Sequence, residues 1–253
     1  MLANAVWHDE FLKMDRVSYF TFESFYSSLR VTNRLTYKLN GVCTMPATEY
    51  AVIDFETTGL SAGWDRVIEV GAAIVCNGEV VDTFVQLMHP GTRIPAFITG
   101  LTGISDAMVR GQPAPETVMP RLKEFLGQRP CIAHNAAFDA RFFFAEMERA
   151  GVPDERPFLC SMKLARRLVP EAPNHRLGTL VHHLFLETPD GSRAHRALDD
   201  VLLTVALWNH LTARLRHRLG GVPPDLAVFR ALMGKSKGAT EAYLQKLAAG
   251  RGA

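Results

Sequence analysis

The sequence lacks an uninterrupted apolar stretch of 18 or more residues, so it contains no candidate membrane-spanning helix. Its N-terminus carries Asp9, Glu10 and Asp15 where a secretory signal needs positive charge followed by an apolar run. The few cysteines form no CxxC pair, which is typical of reduced thiols and not of a disulfide or zinc framework. They are Cys43, Cys76, Cys131 and Cys160. These absences predict a cytoplasmic protein with no membrane partner.

The small net charge of +2 conceals an uneven distribution along the chain. Residues 212–253 carry eight Lys/Arg against two Asp/Glu, a net charge of +6, and residues 1–49 sum to zero. Residues 50–211 therefore carry a net charge of −4. An acidic centre that binds an anion needs metal ions in between, whereas a basic tail either contacts phosphates or forms a solvated end.

Apolar periodicity predicts an α/β domain. Residues 50–55 form a short apolar run typical of a buried central strand, and Asn77-Gly78 is a hairpin signal between the strands predicted at 67–75 and 80–88. The rest of the pattern predicts a long connection at 89–113, short strands at 130–134 and 158–160, and helices at 118–126, 136–150, 161–168, 177–186 and 196–218. This order indicates a mixed sheet with helices on its faces and a site at the ends of the central strands.

Three segments are expected. Residues 1–48 lack clean periodicity, and they are interpreted as a loose extension, an unused start upstream of Met45, or an organelle-targeting segment. Residues 49–211 form the predicted domain. Residues 212–253 form a basic helical tail whose short helices, predicted at 226–233 and 242–247, are too small to make a domain of their own.

Four acids lie at the boundaries of predicted core elements. Asp54 and Glu56 share one face at the end of the first strand, where they repel each other unless a hard divalent cation lies between them. Alone, such a pair is more often a solvated strand end than a metal site. Asp139 begins the helix after the second buried strand, and Asp200 follows His195 by little more than one helical turn. The coincidence of all five residues favours a metal site.

Three motifs contain these residues: Asp54-Phe-Glu-Thr-Thr-Gly-Leu, His134-Asn-Ala-Ala-Phe-Asp139 and His195-Arg-Ala-Leu-Asp-Asp200. They resemble the three exonuclease motifs of the DEDDh (DnaQ-like) family, which includes the epsilon proofreading subunit of bacterial DNA polymerase III. The resemblance covers residues 49–211 and implies a ribonuclease-H-like fold, a mixed central sheet flanked by helices on both faces. It further implies that Asp54, Glu56, Asp139 and Asp200 hold two divalent cations, Mg²⁺ or Mn²⁺, and that His195 is the general base.

The resemblance predicts a 3′–5′ exonuclease of a proofreading or repair type. Its expected partners are single-stranded DNA or 3′ DNA ends and a DNA polymerase subunit, and its product is a nucleoside 5′-monophosphate. Expected substrate contacts are stacking by Leu101 and Ile104, with ordinary core packing as the alternative for Ile104. Polar contacts are expected from Thr57, Thr58, Gly59 and Thr102. Asn135 is predicted to cap a helix, and His134, His182 and His183 are predicted to be structural. Two alternatives stay open: an exoribonuclease of the same fold, and a catalytically decayed nucleic-acid-binding scaffold.

Overall fold

The computed structural model describes residues 49–187 and 196–249. The predicted extension at 1–48 and the predicted base His195 therefore lie outside the described residues. The strands are β1 (Glu49–Thr57), β2 (Val67–Cys76), β3 (Glu79–Leu87), β4 (Cys131–Ala133) and β5 (Phe158–Cys160). The helices are α1 (Ala96–Thr102), α2 (Asp106–Val109), α3 (Pro115–Leu126), α4 (Ala137–Arg149), α5 (Ser161–Leu168), α6 (Leu177–His183), α7 (Ala197–Arg218), α8 (Leu226–Gly234) and α9 (Lys237–Ala249).

The five strands form one mixed sheet in the order β3-β2-β1-β4-β5. β1, β2 and β3 pair antiparallel, while β4 runs parallel to β1, and β5 runs parallel to β4. Asn77 and Gly78 connect β2 to β3 with positive φ angles of 52° and 89°, as a tight hairpin requires. The predicted hairpin and the predicted central position of the first strand are both confirmed.

Helices cover both faces of this sheet because the side chains of β1 alternate between two apolar clusters. Ala51, Ile53 and Phe55 are buried with residues of α3 and α4 on one face. Tyr50 and Val52 are buried with residues of α5 and α7 on the other face. Asp54 and Glu56 continue this second series, so their carboxylates emerge on the face where α7 packs.

The C-terminal helices are packed on the domain, and the interpretation of a solvated end is wrong for them. α7 is continuous through the predicted boundary at residue 211. Val228, Phe229 and Leu232 of α8 and Leu244 of α9 join the apolar cluster of α5 and α7. Through these buried side chains α8 and α9 are part of the layer formed by α5 and α7. α9 begins at Lys237, earlier than the sequence pattern predicted.

The long connection at 89–113 has its own structure, which the sequence pattern did not predict. It contains the short helices α1 and α2. These helices are held by a small apolar cluster of Ile68, Ile94, Ile98, Ile104 and Val109. Within residues 49–187 and 196–249, no helix is both long and apolar enough to cross a membrane.

Candidate active site

Three carboxylates meet at the C-terminal end of β1. Asp54 and Glu56 are two residues apart on β1, and Asp200 lies in the first turn of α7. One carboxylate oxygen from each of the three residues lies within 4.8 Å of the others. The site predicted from widely separated motifs is thus assembled by a strand and a helix that pack on the same sheet face.

Asp139 lies beside this group but in a different environment. It is in the first turn of α4, only 1% of its surface is exposed, and its Oδ1 accepts a hydrogen bond from the backbone N–H of Phe55 at 3.2 Å. This bond ties the start of α4 to the middle of the motif on β1. Asp139 therefore reaches the acidic group from the sheet face opposite α7. It contacts β1 at Phe55, the residue between Asp54 and Glu56.

Burial, together with neighbouring negative charges at Asp54 and Glu56, raises the pKa values of three of these carboxyl groups. Burial raises the pKa of Asp54 well above its usual range, and the charges of Asp139, Asp200 and Glu56 raise it further. Burial, followed by the charge of Asp200, raises the pKa of Glu56 to about 7. Burial also raises the pKa of Asp139 to about 7. A group of acids that resists ionisation in this way is suited to divalent cations, which neutralise the charge and prefer oxygen ligands.

The hydroxyl groups of Thr57 and Thr58 make local hydrogen bonds, and their predicted contacts with substrate stay predictions. Thr57 is buried and donates to the carbonyl of Gly59 at 2.6 Å. Thr58 is buried, donates to Asp65 at 3.2 Å and accepts from the backbone N–H of Arg66 at 3.0 Å. These bonds build the turn that follows β1.

Gly59 leaves room for the Asp65 side chain in the same turn. A Cβ atom at Gly59 would lie 2.5 Å from the carboxylate oxygens of Asp65, closer than real Cβ contacts come. The Asp65 carboxylate accepts hydrogen bonds from the hydroxyl of Thr58 and from the backbone N–H of Ser61, at 3.2 and 2.8 Å. The glycine therefore allows Asp65 to close the turn, while its predicted contact with substrate stays a prediction.

The connection at 89–113 contains three residues that were predicted to contact substrate, and they differ in exposure. Ile104 is completely buried in its apolar cluster, so the core-packing alternative is correct and the stacking role is wrong. Thr102 is buried and donates to the carbonyl of Ile98 at 3.0 Å, which leaves its hydroxyl in a helical bond. Leu101 is 51% exposed and is joined on α1 by Phe97, which is 69% exposed and was not predicted.

Two further predictions near the second motif have different outcomes. His134 is structural as predicted, because its ring nitrogens contact the Ser161 hydroxyl and the His175 carbonyl, both at 2.9 Å. Asn135 is not a helix cap. It adopts a positive φ of 66°, and Ala136 occupies the position before α4 with no side-chain cap. Asparagine tolerates this left-handed conformation better than most residues, which explains its presence at the turn.

Sequence reasoning missed three residues that support the site. Glu69 and Gly71 lie on β2 opposite the acids of β1, and Arg196 precedes α7 and pairs with Glu69. The available signals were an acid inside the apolar run Val67–Val75 and a glycine inside a predicted strand, which often marks close approach of another backbone.

Comparison with known proteins places this site in a family. The family model described as Exonuclease (RNase_T) matches residues 51–208. The chain is similar to the PolC-type DNA polymerase III of Clostridium perfringens, with 38% identity over 171 residues, which are 68% of this chain and 12% of that protein. The PolC-type DNA polymerase III of Bacillus cereus is 39% identical over 156 residues, 61% of this chain and 11% of that protein. The chain thus spans roughly a tenth of the length of these curated relatives.

Solved structures give the same result for the fold. Exonuclease X in complex with 5′ overhanging duplex DNA is similar with 30% identity and a TM-score of 0.58, covering 73% of this chain and 99% of that one. Escherichia coli exonuclease I in complex with a dT13 oligonucleotide is similar with 18% identity and a TM-score of 0.59. That second match covers 68% of this chain and 42% of exonuclease I and supports the fold alone.

Proposed function

This chain belongs to the exonuclease family, and we propose that it is a metal-dependent 3′–5′ exonuclease that shortens DNA strands or frayed ends to nucleoside 5′-monophosphates. The observation that carries the proposal is the convergence of Asp54, Glu56 and Asp200, whose carboxylate oxygens lie within 4.8 Å of one another. Asp139 joins them from the other sheet face, so all four acids of the family motifs meet at one end of β1.

The donor set fits divalent cations. It offers only carboxylate oxygens, which suit Mg²⁺ and Mn²⁺, and burial together with neighbouring negative charges raises the pKa values of Asp54 and Glu56. Asp54, Glu56 and Asp200 would hold one cation, and Asp54 and Asp139 would lie closest to a second. When bound, such cations lower the pKa of a water molecule and stabilise charge on the leaving oxygen.

The chain's own residues supply position and proton transfer. The hydrogen bond between the Phe55 N–H and Asp139 fixes one carboxylate relative to β1, and the packing of α7 fixes Asp200. His195 precedes α7 and is proposed as the general base, since an imidazole with a pKa near ~6.5 accepts a proton at neutral pH. This role for His195 rests on its motif, because the residue lies outside the described ranges.

The choice of DNA as substrate rests on the relatives of the chain, and an exposed apolar surface supports an unpaired strand. The relatives include PolC-type DNA polymerases, and exonuclease X and exonuclease I are both similar structures in complex with DNA. Leu101 and Phe97 on α1 are exposed apolar side chains that suit stacking on unpaired bases. We accordingly propose an unpaired 3′ DNA end as the substrate and a DNA polymerase as the partner.

A matched pair of oligonucleotides tests the proposal against its main alternative. Single-stranded DNA and RNA of the same sequence are incubated with Mg²⁺, with and without chelator, and the products are resolved at nucleotide resolution. We expect Mg²⁺-dependent degradation of DNA that is faster than that of RNA. Preferential degradation of RNA would favour an exoribonuclease, and absence of hydrolysis of either strand would favour a nucleic-acid-binding scaffold.

A further inference from the structure

Glu69 is a buried acid that contacts the start of α7 through three hydrogen bonds. Only 1% of Glu69 is exposed, and its Oε1 accepts from Nη2 of Arg196 at 2.8 Å. Its Oε2 accepts from Nε of Arg196 at 3.3 Å and from the backbone N–H of Ala197 at 3.2 Å. Both carboxylate oxygens are therefore used to bind the two residues at which the helix begins.

Gly71 allows this helix start to lie directly on the sheet. A Cβ atom at Gly71 would be 2.4 Å from the carbonyl carbon of Ala197 and 2.6 Å from the backbone nitrogen of Leu198. Such distances are shorter than any real Cβ contact, so only glycine permits the approach. Glu69 and Gly71 are two residues apart on β2 and therefore lie on the same face of the strand. Glu69 binds the start of α7, and Gly71 leaves room for it.

The register between β1 and β2 places this contact next to the acidic group. Glu56 is paired with Glu69, and Asp54 is paired with Gly71. Directly opposite residues of an antiparallel pair project on the same face, so α7 begins over the two carboxylates of β1. Asp200 follows one turn later, and its backbone N–H donates to the carbonyl of Arg196 at 3.1 Å.

We propose that Glu69 and Arg196 are positioning residues for the metal site, which together set the distance from Asp200 to Asp54 and Glu56. The inference rests on the proposed function, and it assigns neither residue a contact with substrate or cation. The Glu69–Arg196 pair fixes the first residues of α7, and the rigid helix carries that position to Asp200 four residues later. Groups that orient metal ligands in this way typically contribute 10- to 100-fold to metal affinity or activity.

A second buried pair provides a matched control. Glu146 on α4 is completely buried and accepts from Nε of Arg66 at 2.8 Å and from the backbone N–H of Val67 at 3.4 Å. It resembles Glu69 in burial and in binding an arginine and a backbone N–H, although it also accepts from Arg149 at 3.1 Å and belongs to the opposite sheet face. Glu69→Gln and Glu146→Gln should each lower the melting temperature, because each leaves the ion pair of a buried carboxylate incomplete.

The measurements are the Mn²⁺ dissociation constant by calorimetry, kcat and KM on single-stranded DNA, and the melting temperature. Glu69→Gln is expected to weaken Mn²⁺ binding by roughly tenfold or more and to lower kcat with little change in KM. Glu146→Gln is expected to keep the Mn²⁺ affinity and kcat of the wild type, because Asp139 at the start of α4 is held to β1 by its own hydrogen bond from the Phe55 N–H. Equal effects of the two variants on Mn²⁺ binding would overturn the inference.

A double variant separates positioning from a change in local charge. Glu69→Gln combined with Arg196→Gln restores the local net charge of the wild type but not the hydrogen bonds. Mn²⁺ affinity that stays low in the double variant supports positioning, and recovery to the wild-type value contradicts it. Should Glu69→Gln not fold, Arg196→Lys keeps the charge while losing the planar two-pronged contact, and it should give a smaller loss in the same direction.

Failure of this inference and failure of the proposed function have different signatures. If the wild type hydrolyses DNA and binds Mn²⁺ while Glu69→Gln behaves like Glu146→Gln, only the positioning role is wrong. If the wild type shows neither hydrolysis nor Mn²⁺ binding, the proposed function fails and the inference fails with it.

Discussion

At the scale of single residues, the acidic group is a source of instability that cations should relieve. The pKa of Asp54 lies well above its usual range and that of Glu56 is raised to about 7, because burial and then like charges oppose ionisation, and burial raises the pKa of Asp139 to about 7. In the unfolded chain these groups ionise near pH ~4. The folded state therefore binds more protons between pH ~4 and ~7, and stability is lost as the pH rises through that window.

We expect the melting temperature of the metal-free wild type to fall between pH 5 and pH 8. The melting temperature of Asp54→Asn should fall less over the same range, because one of the repelling charges is gone. Mg²⁺ should raise the melting temperature of the wild type at pH 8 far more than at pH 5, since cations must displace protons at the lower pH. Asp54→Asn should be inactive and should respond little to Mg²⁺. A wild-type melting temperature that rises with pH in chelator would contradict this account of the acids.

Substitutions of the two apolar residues that were predicted to contact substrate should have opposite effects on KM and on stability. Leu101 is half-exposed and Ile104 is completely buried. Leu101→Ala should raise KM for single-stranded DNA without loss of stability, because an exposed stacking surface is removed. Ile104→Ala should lower the free energy of unfolding by about 2–5 kcal/mol and leave KM for DNA nearly unchanged. Denaturant unfolding and steady-state kinetics on both variants check the pair, and a KM effect confined to Ile104→Ala would reverse the assignment.

Residue identity in the motifs was readable from sequence, but side-chain direction was not. Asp54, Glu56 and Asp200 converge as predicted because strand parity and helix start were visible in the sequence. Thr57, Thr58 and Thr102 were assigned to substrate because hydroxyls suit sugars and phosphates. In the structure they bond to nearby backbone and to Asp65, a competition that depends on turn geometry and is invisible in composition.

At the scale of elements, the close contact between β2 and α7 is the feature on which the site most depends. Gly71→Ala would place a methyl group 2.4 Å from the carbonyl carbon of Ala197, so the helix start must move away from the strand. We expect the variant to fold with a lower melting temperature and to bind Mn²⁺ more weakly, because Asp200 moves with α7. Calorimetry with Mn²⁺ checks this, and wild-type affinity in a folded Gly71→Ala protein would show that the approach is not needed.

Elements with strong local signals were predicted, and those stabilised by tertiary packing were missed. The β2–β3 hairpin follows from Asn77-Gly78, whose residues adopt the positive φ angles that the turn needs. The four-residue helix α2 and the seven-residue helix α1 are too short to be stable alone and depend on the cluster around Ile98 and Ile104. α9 likewise begins at Lys237, earlier than its apolar pattern, because it packs on the domain through Thr240 and Leu244.

At the scale of the whole molecule, deletion of the basic C-terminal region would not isolate its contribution to nucleic-acid binding. α8 and α9 bury Val228, Phe229 and Leu244 against the core, so removing residues 221–253 would destabilise the domain itself. Neutralising exposed basic side chains tests the contribution of the region without removing its helices. Arg230 and Lys237 are exposed on α8 and α9 and suit this test.

We expect neutralising Arg230→Gln and Lys237→Gln to weaken binding of a long single strand and to flatten its salt dependence. The slope should fall by up to about 0.7 for each phosphate contact removed. Arg121→Gln is the matched control for each single substitution, because Arg121 is exposed on α3, which packs on the opposite face of the sheet. Salt titrations of binding distinguish them, and slopes for Arg230→Gln and Lys237→Gln that equal the slope for Arg121→Gln would exclude a specific contact by the C-terminal helices.

The central claim is that this acidic site removes nucleotides from the 3′ end of DNA, and one measurement tests it directly. Single-stranded DNA carrying different labels at its 5′ and 3′ ends is digested with Mg²⁺ by the wild type and by Asp54→Asn. The account predicts immediate release of the 3′ label as a nucleoside 5′-monophosphate, a descending ladder of 5′-labelled strands, and no product from Asp54→Asn. Early release of the 5′ label, or equal digestion by Asp54→Asn, would contradict it.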